Sequence, residues 1–337
     1  MKTPMVSIVV PIYNVESYLD QFYMSIQAQT FNNFEVIMVD DGSTDNSLNI
    51  IKSIEQSDQR FKVFSQNNQG TGAARNMGIK YSSGEYILFL DPDDTISKDL
   101  IKDNLDLITE TGAHIVVFGY DVMTDGELTN KVCFQNVIDG DITDPEIFTT
   151  YFENGAFNTL WNKMFQANMI KENKIKSPNW KYSQDRGLLL EIIKTRPKII
   201  FNKTQKTYYQ YNFKRNGSTV AGFKPTAIHS ISKSVYTISE IFSNWNVALP
   251  DRLIYLMIVN GLYFDAGLYN ARYLRYKERQ IFVKELNNIS ELSIIDRVDY
   301  TNWVKTLNSK EFIKLIIAKY RLGFLFSTIL RFIHAKR

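Results

Sequence analysis

Residues 86–96 read YILFLDPDDTI. Five apolar or aromatic residues run directly into three carboxylates, Asp91, Asp93 and Asp94. An uninterrupted apolar run is typical of a strand that is buried on both faces. Three like charges at the end of such a strand repel one another and lose hydration. The segment therefore predicts a buried strand that ends at a site for a positively charged group.

The segments around this strand repeat the same organisation. Apolar, β-rich runs alternate with segments of helical spacing through the first 120 residues, which predicts the order βαβαβαβαβ. Such an order implies a mostly parallel sheet with helices on both faces, whose ligands bind beyond the carboxyl ends of the strands. Asn14 and Thr44 are expected to be N-caps of the first two helices. The predicted strands are 5–10, 34–39, 61–64, 86–90 and 115–118, and the predicted helices are 15–28, 47–56, 73–81 and 98–109.

Polar clusters follow the first four predicted strands. They read PIYN (11–14), DDGS (40–43), NNQGTG (67–72) and DPDD (91–94). Each has a common turn composition when taken alone, but together they meet at one edge of one sheet. Asp91 and Asp93 have the D-x-D spacing that can offer two oxygen ligands to Mg²⁺ or Mn²⁺, with substrate phosphate filling further positions. The alternative is a turn in which Asp94 or Thr95 caps a helix that begins at residue 96.

Composition limits the possible classes of protein. The 337 residues contain 44% hydrophobic residues and one cysteine, Cys133, so an intramolecular disulfide and a cysteine-built zinc site are excluded. A reducing, cytoplasmic setting fits this composition, and we expect no nucleic-acid partner. The net charge is +3, and residues 301–337 carry eight Lys or Arg against Glu311 alone. This tail predicts either an interfacial helix on an anionic membrane or a helix that packs within a homo-oligomer.

The aspartate-rich end of this strand has a second functional interpretation besides metal binding. YILFLDPDDT also matches four hydrophobic residues followed by D-x-D-x-T, the nucleophile motif of haloacid-dehalogenase-like phosphatases, with Asp91 as the nucleophile. That motif usually follows the first strand of its domain, whereas three βα units precede it here. GTGAARNMG is a poor dinucleotide fingerprint because Arg75 replaces its third glycine. A catalytically silent glycan-binding or scaffold protein is the alternative without an activity.

Four ordered motifs give the chain a family resemblance. SIVVPIYN, FEVIMVDDGSTDNS, NNQGTGAARNMGI and YILFLDPDD resemble the nucleotide-binding half of family 2 glycosyltransferases with a GT-A fold. TLWNKMF, YSQDRGLLLEII and YYQYNFKRNGST are similar to acceptor-side motifs of bacterial capsular polysaccharide and teichoic acid members. The resemblance implies a Rossmann-like α/β GT-A domain and extends to about residue 225. The pattern of the residues that follow predicts a mainly helical C-terminal region with the basic tail. The expected divisions are a nucleotide-sugar-binding half (1–120), an acceptor-binding half (121–224) and the helical region (225–337).

The resemblance also implies a reaction. An inverting transferase of this family moves a sugar from a nucleotide diphosphate, here expected to be UDP, to a hydroxyl of a cell-surface glycan or its lipid-linked precursor. It would use Mg²⁺ or Mn²⁺ and work at the inner face of the cell membrane. Direct displacement needs a carboxylate that removes the proton of the acceptor, and the family position corresponds to Asp185. Gln184 stands where an acidic residue is often found.

Further site residues follow from the same resemblance. Asp41 would accept the imide N–H of uracil, and Arg75 would pair with the acidic site or the diphosphate. Trp161 would stack on the acceptor sugar. The cation would be held by Asp91 and Asp93, and the remaining donor contacts are assigned to Pro11, Tyr13, Asn212, Arg215 and Ser218.

Overall fold

The computed structural model describes residues 3–213 and 227–260, and within these ranges it contains eleven strands and nine helices. The strands are β1 (Val6–Ile12), β2 (Phe34–Asp40), β3 (Phe61–Ser65), β4 (Tyr86–Phe89), β5 (Thr95–Ile96), β6 (Ile115–Val117), β7 (Tyr120–Thr124), β8 (Glu127–Val132), β9 (Lys163–Gln166), β10 (Ile199–Phe201) and β11 (Tyr209–Phe213). The helices are α1 (Leu19–Gln27), α2 (Ser47–Ser57), α3 (Thr71–Tyr81), α4 (Leu100–Thr111), α5 (Pro145–Glu153), α6 (Ala167–Glu172), α7 (Gln184–Ile193), α8 (Ile228–Trp245) and α9 (Asp251–Asn260).

The first compact unit is built on two sheets and comprises residues 3–179 and 184–213 of the described chain. Its main sheet has seven strands in the order β10-β6-β9-β4-β1-β2-β3. All neighbouring strands are parallel except at β9, which pairs antiparallel with β4 and β6. A second sheet has the order β5-β11-β7-β8. The predicted mostly parallel α/β sheet is confirmed, and it draws strands from both sides of the expected division at residue 120.

The two central strands explain why the sheet forms. Every residue of β1 and β2 is buried, and alternate side chains supply the cores on opposite faces of the sheet. Val36 and Met38 belong to the larger core, which includes residues of α1, α2 and α4. Ile37 and Val39 pack with Ala74 of α3. Helices therefore cover both faces, as the continuous apolar runs predict.

The predicted start of the first helix is wrong, and so is the alternative of a helix that begins at residue 96. Helix α1 begins at Leu19 instead of residue 15, because residues 16–18 form a turn that is closed by the N–H of Tyr18 donating to the carbonyl of Val15 at 2.9 Å. The segment after Asp94 does not begin a helix at residue 96. Thr95–Ile96 forms the short strand β5, which pairs with β11, and α4 begins at Leu100.

The second unit contains residues 180–183 and, among those described, 227–260. In α8 the buried residues Ile231, Val235, Ile238 and Phe242 recur every three or four positions, which gives one apolar face. The helix ends at Asn246, whose left-handed backbone (φ 57°) terminates it. The described part of the C-terminal region is therefore helical, as expected.

The sequence predicts a membrane contact for the C-terminal region. The basic tail, residues 301–337, lies outside the described residues. In the part of the chain that the structure describes, none of the helices has the length and apolar character needed to cross a bilayer.

The contact between α3 and β1 gives a test of the packing. A Cβ atom at Gly78 would lie 2.2 Å from Cγ1 of the buried Val9. Gly→Ala in a helix interior normally stabilises a protein, but here we expect Gly78→Ala to lower the free energy of unfolding by about 1–3 kcal/mol through overpacking. Urea denaturation measures the change. The exposed Lys52→Ala should stay within about 0.5 kcal/mol of the parent protein, and an unchanged or more stable Gly78→Ala would contradict the packing.

Candidate active site

The predicted polar clusters meet at one edge of the main sheet. Strands β1, β2 and β3 are parallel and in register, with Ile12 opposite Asp40 and Asp40 opposite Ser65. Strand β4 is parallel to β1 on its other side. The loops that follow these four strands therefore lie at the same edge, as the sequence predicts.

A side-chain bridge joins the first two loops. The Oδ1 atom of Asn14 accepts hydrogen bonds from the backbone N–H of Thr44 at 2.7 Å and from its hydroxyl at 3.3 Å. The N–H of Asn14 donates to Oγ of Ser43 at 3.1 Å. Neither Asn14 nor Thr44 is an N-cap, because Tyr18 and Asn46 occupy those positions. The predicted caps instead bind each other and fix the two loops together.

The adjacent Asp40 and Asp41 have separate structural functions. Asp40 accepts from the N–H groups of Gly42 and Ser43 and from Oγ of Ser65, each at 3.2 Å, which shapes its own turn. Asp41 organises the glycine-rich turn before α3. Its contacts are Gln66 Nε2 (2.7 Å), Gln69 N (2.8 Å) and Gly70 N (2.8 Å).

Arg75 connects two carboxylates that are far apart in the sequence. Its guanidinium, which is 3% exposed, donates from Nη1 to Oδ1 of Asp185 at 2.6 Å and from Nη2 to Oδ1 of Asp91 at 3.3 Å. Burial opposes the charge, but Asp185 and Asp91 outweigh it and raise the pKa of Arg75. The pairing predicted between Arg75 and the acidic site is therefore present, and it joins the end of β4 to the start of α7.

Asp91 remains short of positive charge despite this contact. Burial, together with the charges of Asp185 and Asp93, raises the pKa of Asp91 to about 7, while Arg75 acts in the opposite direction. Only Oδ1 of Asp91 accepts from Arg75. Among the described residues there is no group of three or more His, Cys, Asp or Glu side chains that could hold a metal ion. A cation here would thus rely on the Asp91 and Asp93 pair and on oxygens of the substrate, which suits Mg²⁺.

Asp94 has a structural function. Its carboxylate accepts from the hydroxyl of Tyr209 at 2.6 Å and from the N–H of Asn212 at 2.7 Å. The side-chain amide of Asn212 also donates to the carbonyl of Asp93 at 2.6 Å. Burial, helped by the charge of Asp93, raises the pKa of Asp94 well above its usual range. The third carboxylate is therefore explained by its anchoring of the DPDD turn to β11 and needs no cation.

Asp185 lies in the first turn of α7, and its side chain is 24% exposed. Each oxygen has a protein donor: Arg75 binds Oδ1, and the N–H of Leu160 binds Oδ2 at 3.2 Å. A carboxylate oxygen can accept two hydrogen bonds, so both oxygens keep capacity for a further donor. The position is compatible with proton acceptance as well as with stabilisation of the helix start.

Trp161 does not offer the open stacking surface that the sequence predicts. The indole is 5% exposed and stacks on Tyr209 and Tyr211, with ring centroids 4.5 and 5.3 Å apart. The ring of Tyr120 meets it edge-on at 4.7 Å. Because the indole is almost fully buried, Trp161 is a core residue in this structure, and the acceptor contact assigned to it is not supported.

Gln184 makes a contact that the sequence did not predict. Its Oε1 accepts from the N–H of Gly72 at 2.8 Å, which ties the start of α7 to the start of α3. A Cβ atom at Gly72 would lie 2.7 Å from Oγ of Ser177. A glycine fits here because a Cβ atom would crowd the side chain of Ser177.

The remaining predicted residues fall into two groups. Pro11 is a buried residue of β1, and Tyr13 follows the strand with 47% of its surface exposed. Arg215 and Ser218 lie outside the described residues.

The comparison with protein families agrees with this arrangement. Residues 7–173 match the model of glycosyl transferase family 2. The glycosyltransferase GlyG of Streptococcus pneumoniae is 32% identical over 221 residues, which cover 64% of this chain and 72% of GlyG. The chain belongs to glycosyl transferase family 2. The family predicted from the four motifs is confirmed.

Two further proteins extend the likeness over most of the chain. The poly(ribitol-phosphate) β-N-acetylglucosaminyltransferase TarP of Staphylococcus aureus is 29% identical, over 90% of this chain and 88% of TarP. The crystal structure of S. aureus TarS 1–349 in complex with UDP-GlcNAc superposes with a TM-score of 0.73 at 21% identity, covering 98% of this chain and 92% of the other. This similarity confirms the GT-A-like fold. Alignments with three other curated glycosyltransferases cover 46%, 52% and 42% of their lengths, so the chain spans about half of those relatives.

The bridge between Asn14 and Thr44 predicts the order in which three substitutions of Asn14 lower the free energy of unfolding. Asn14→Asp keeps the acceptor and tolerates the left-handed backbone, so its free energy of unfolding should stay within about 0.5 kcal/mol. Asn14→Gly keeps the backbone freedom but loses the hydrogen bond, at a cost of about 1 kcal/mol. Asn14→Ala loses both, at about 2 kcal/mol. Urea denaturation of the four proteins would contradict the bridge if the alanine variant were as stable as the parent.

Proposed function

We propose that this chain transfers a sugar from a UDP-sugar to a hydroxyl group by a single displacement with inversion at the anomeric carbon. The observation that supports the proposal best is the buried guanidinium of Arg75, which contacts one carboxylate from β4 and one from α7. Donor and acceptor chemistry would then share one small site. The carboxylate at the end of β4 would face the diphosphate, and the carboxylate of α7 would face the acceptor.

The nucleotide would bind over the loops after β1, β2 and β3. Asp41 uses three hydrogen bonds to shape the glycine-rich turn, and a carboxylate has about four acceptor positions. One position is thus left for the imide N–H of uracil. Tyr13 is exposed beside this loop cluster and would lie against the base together with Pro11.

Asp91 and Asp93 would hold a divalent cation together with the diphosphate. When bound, the cation would neutralise the charge that develops on the leaving diphosphate. The fit rests on the oxygen ligands, because Asp91 accepts from Arg75 through one oxygen only. Burial, together with the charges of Asp185 and Asp93, raises the pKa of Asp91 to about 7, and a bound cation would favour its charged form. Asn212 holds the turn that contains both aspartates and would act on the donor through that turn.

Asp185 would be the general base. As the acceptor oxygen forms its bond to the anomeric carbon, the bond from that carbon to the diphosphate oxygen breaks, and its electron pair leaves with UDP. The proton of the acceptor hydroxyl passes to Asp185. Arg75 and the N–H of Leu160 orient the carboxylate for this transfer. Asp91 as a phosphatase nucleophile is excluded by the family assignment, since its motif follows β4 and is part of the family 2 pattern.

The acceptor would be a cell-surface glycan or its lipid-linked precursor. TarP is named for the transfer of N-acetylglucosamine to poly(ribitol-phosphate), which makes a cell-wall or capsular polymer a reasonable acceptor class for a related chain. We also propose that the protein acts in the cytoplasm at the inner face of the membrane. Contact with anionic lipid through residues 301–337, and homo-oligomerisation through the same tail, stay predictions from the sequence.

The proposed metal ligands, Asp91 and Asp93, can be tested by measuring UDP binding. Asp93→Ala should lower the Mn²⁺-dependent affinity for UDP at least about tenfold, or ~1.4 kcal/mol, because one of two carboxylate ligands is lost. Isothermal titration calorimetry with UDP, with and without Mn²⁺, measures this. The exposed Asp106 lies on α4, so Asp106→Ala is a control for the loss of one negative charge. Unchanged metal-dependent binding in Asp93→Ala would contradict the assignment.

The proposed base can be tested by turnover. Asp185→Asn should lower kcat by ~10² to 10⁴, which is the usual contribution of general base catalysis, while the Kd for UDP changes little. Glu191→Gln removes another carboxylate of α7 and should leave kcat near the parent value. Release of UDP from a panel of UDP-sugars, with melting temperatures measured in parallel, separates the functions. Turnover of Asp185→Asn within a few-fold of the parent would place the base elsewhere, and a parent protein that binds but never turns over would indicate a silent scaffold.

A further inference from the structure

Lys163 is a buried ammonium group that the proposed reaction does not use directly. It is the first residue of β9 and is 1% exposed, which places it among the largest fully buried side chains of the described chain. Burial lowers its pKa to about 7, and the negative charge of Asp185 opposes this change. Placing an ammonium group in a core costs free energy unless its hydrogen bonds are satisfied. Its partners are therefore informative.

The ammonium group of Lys163 holds the loop that precedes it. Its Nζ donates to the carbonyl of Thr159 and to Oδ1 of Asn162, both at 2.6 Å. The same Oδ1 accepts from the hydroxyl of Thr159 at 2.8 Å. The carbonyl of Asn162 in turn accepts from the N–H of Phe118 at 3.0 Å. The loop at 159–162 is thus fixed from inside the protein.

One of these contacts leads to the proposed base. The carbonyl of Thr159 and the N–H of Leu160 belong to the same peptide group. Lys163 donates to that carbonyl, and the N–H on the other end donates to Oδ2 of Asp185. A donor on the carbonyl side polarises a peptide group and strengthens its N–H as a donor. The ammonium therefore acts on Asp185 through a single rigid peptide plane.

We propose that Lys163 is a positioning residue for Asp185, which it holds through the Thr159–Leu160 peptide. The inference rests on the proposed role of Asp185 as general base. Arg75 fixes Oδ1 of the carboxylate, and the peptide that Lys163 anchors fixes Oδ2. With both oxygens held, the carboxylate plane has one orientation toward the acceptor hydroxyl. Small errors in this orientation reduce turnover strongly.

The test removes the ammonium while keeping most of the side-chain length. Lys163→Met should lower kcat about tenfold or more, with the KM for the donor and the Kd for UDP within about twofold of the parent. Lys171→Met is a matched control, because the half-buried Lys171 of α6 also donates from Nζ to a backbone carbonyl, that of Ser82 at 2.6 Å. It should leave kcat and UDP affinity unchanged. Rates are compared well below the melting temperature of each variant.

Three results would overturn the proposal. The first is a folded Lys163→Met protein whose kcat stays within twofold of the parent. The second is an equal loss of kcat and of UDP affinity, which would indicate general loosening. Lys163→Arg keeps the charge and the donors and should retain more turnover than Lys163→Met. The third result is a folded Lys163→Arg protein that turns over no faster than a folded Lys163→Met protein. If the methionine variant does not fold, a folded arginine variant whose kcat is tenfold or more below that of the parent contradicts the proposal.

A second measurement separates this inference from the proposed function. Hydrogen exchange of the Leu160 amide reports on its bond to Asp185 without any turnover. Exchange should become faster in Lys163→Met and stay unchanged in Lys171→Met. If the parent protein turns over no UDP-sugar, the proposed function fails while this measurement still tests the link. If the protection of Leu160 is the same in both variants, the link from Lys163 is wrong even in an active enzyme.

Discussion

The pairing of Arg75 with Asp91 and Asp185 is the interaction on which the rest of the site depends. A guanidinium that is almost fully buried must be neutralised, because an unpaired charge in such a place would cost several kcal/mol. Its two carboxylates come from the end of β4 and the start of α7. The glycine-rich turn before α3 allows a close approach of the neighbouring segment, since a Cβ atom at Gly72 would lie 2.7 Å from Oγ of Ser177. The fold thus brings an arginine and two distant aspartates into one group, in which the carboxylates outnumber the cation.

Most of the polar atoms at this edge shape the protein, and few are left for a ligand. Asp40 and Asp94 direct their oxygens to neighbouring N–H and O–H groups. Asp41 uses most of its capacity in the same way. These hydrogen bonds hold the loops in place before a substrate arrives, which reduces the ordering that binding must supply. Preorganised loops at the end of a rigid sheet are also the arrangement that electrostatic catalysis requires.

The sequence predicted the sheet well because its strands are buried on both faces and their apolar runs are continuous. Through motifs whose order fits one family, it also singled out Asp91, Arg75 and Asp185, which the structure brings into contact. It failed for Trp161 because an aromatic residue in a motif looks the same whether its ring is open or stacked under two tyrosines. It also missed Gln184 and Lys163, whose partners depend on tertiary contacts between segments that local patterns do not describe. The N-cap prediction for Asn14 had an alternative, since asparagine tolerates a left-handed backbone in a turn as readily as it caps a helix.

The balance of charge gives the proposed metal dependence a physical basis apart from ligand geometry. Among the described residues, the site contains Asp91, Asp93 and Asp185, and its buried cations include Arg75 and Lys163. Arg75 is already committed to two carboxylates, and Lys163 is directed toward Thr159 and Asn162. A diphosphate that arrived alone would add negative charge beside an aspartate whose pKa is already raised to about 7. A diphosphate that arrives with a divalent cation reverses this repulsion, so donor and cation should bind cooperatively, each increasing the affinity of the other by the same factor.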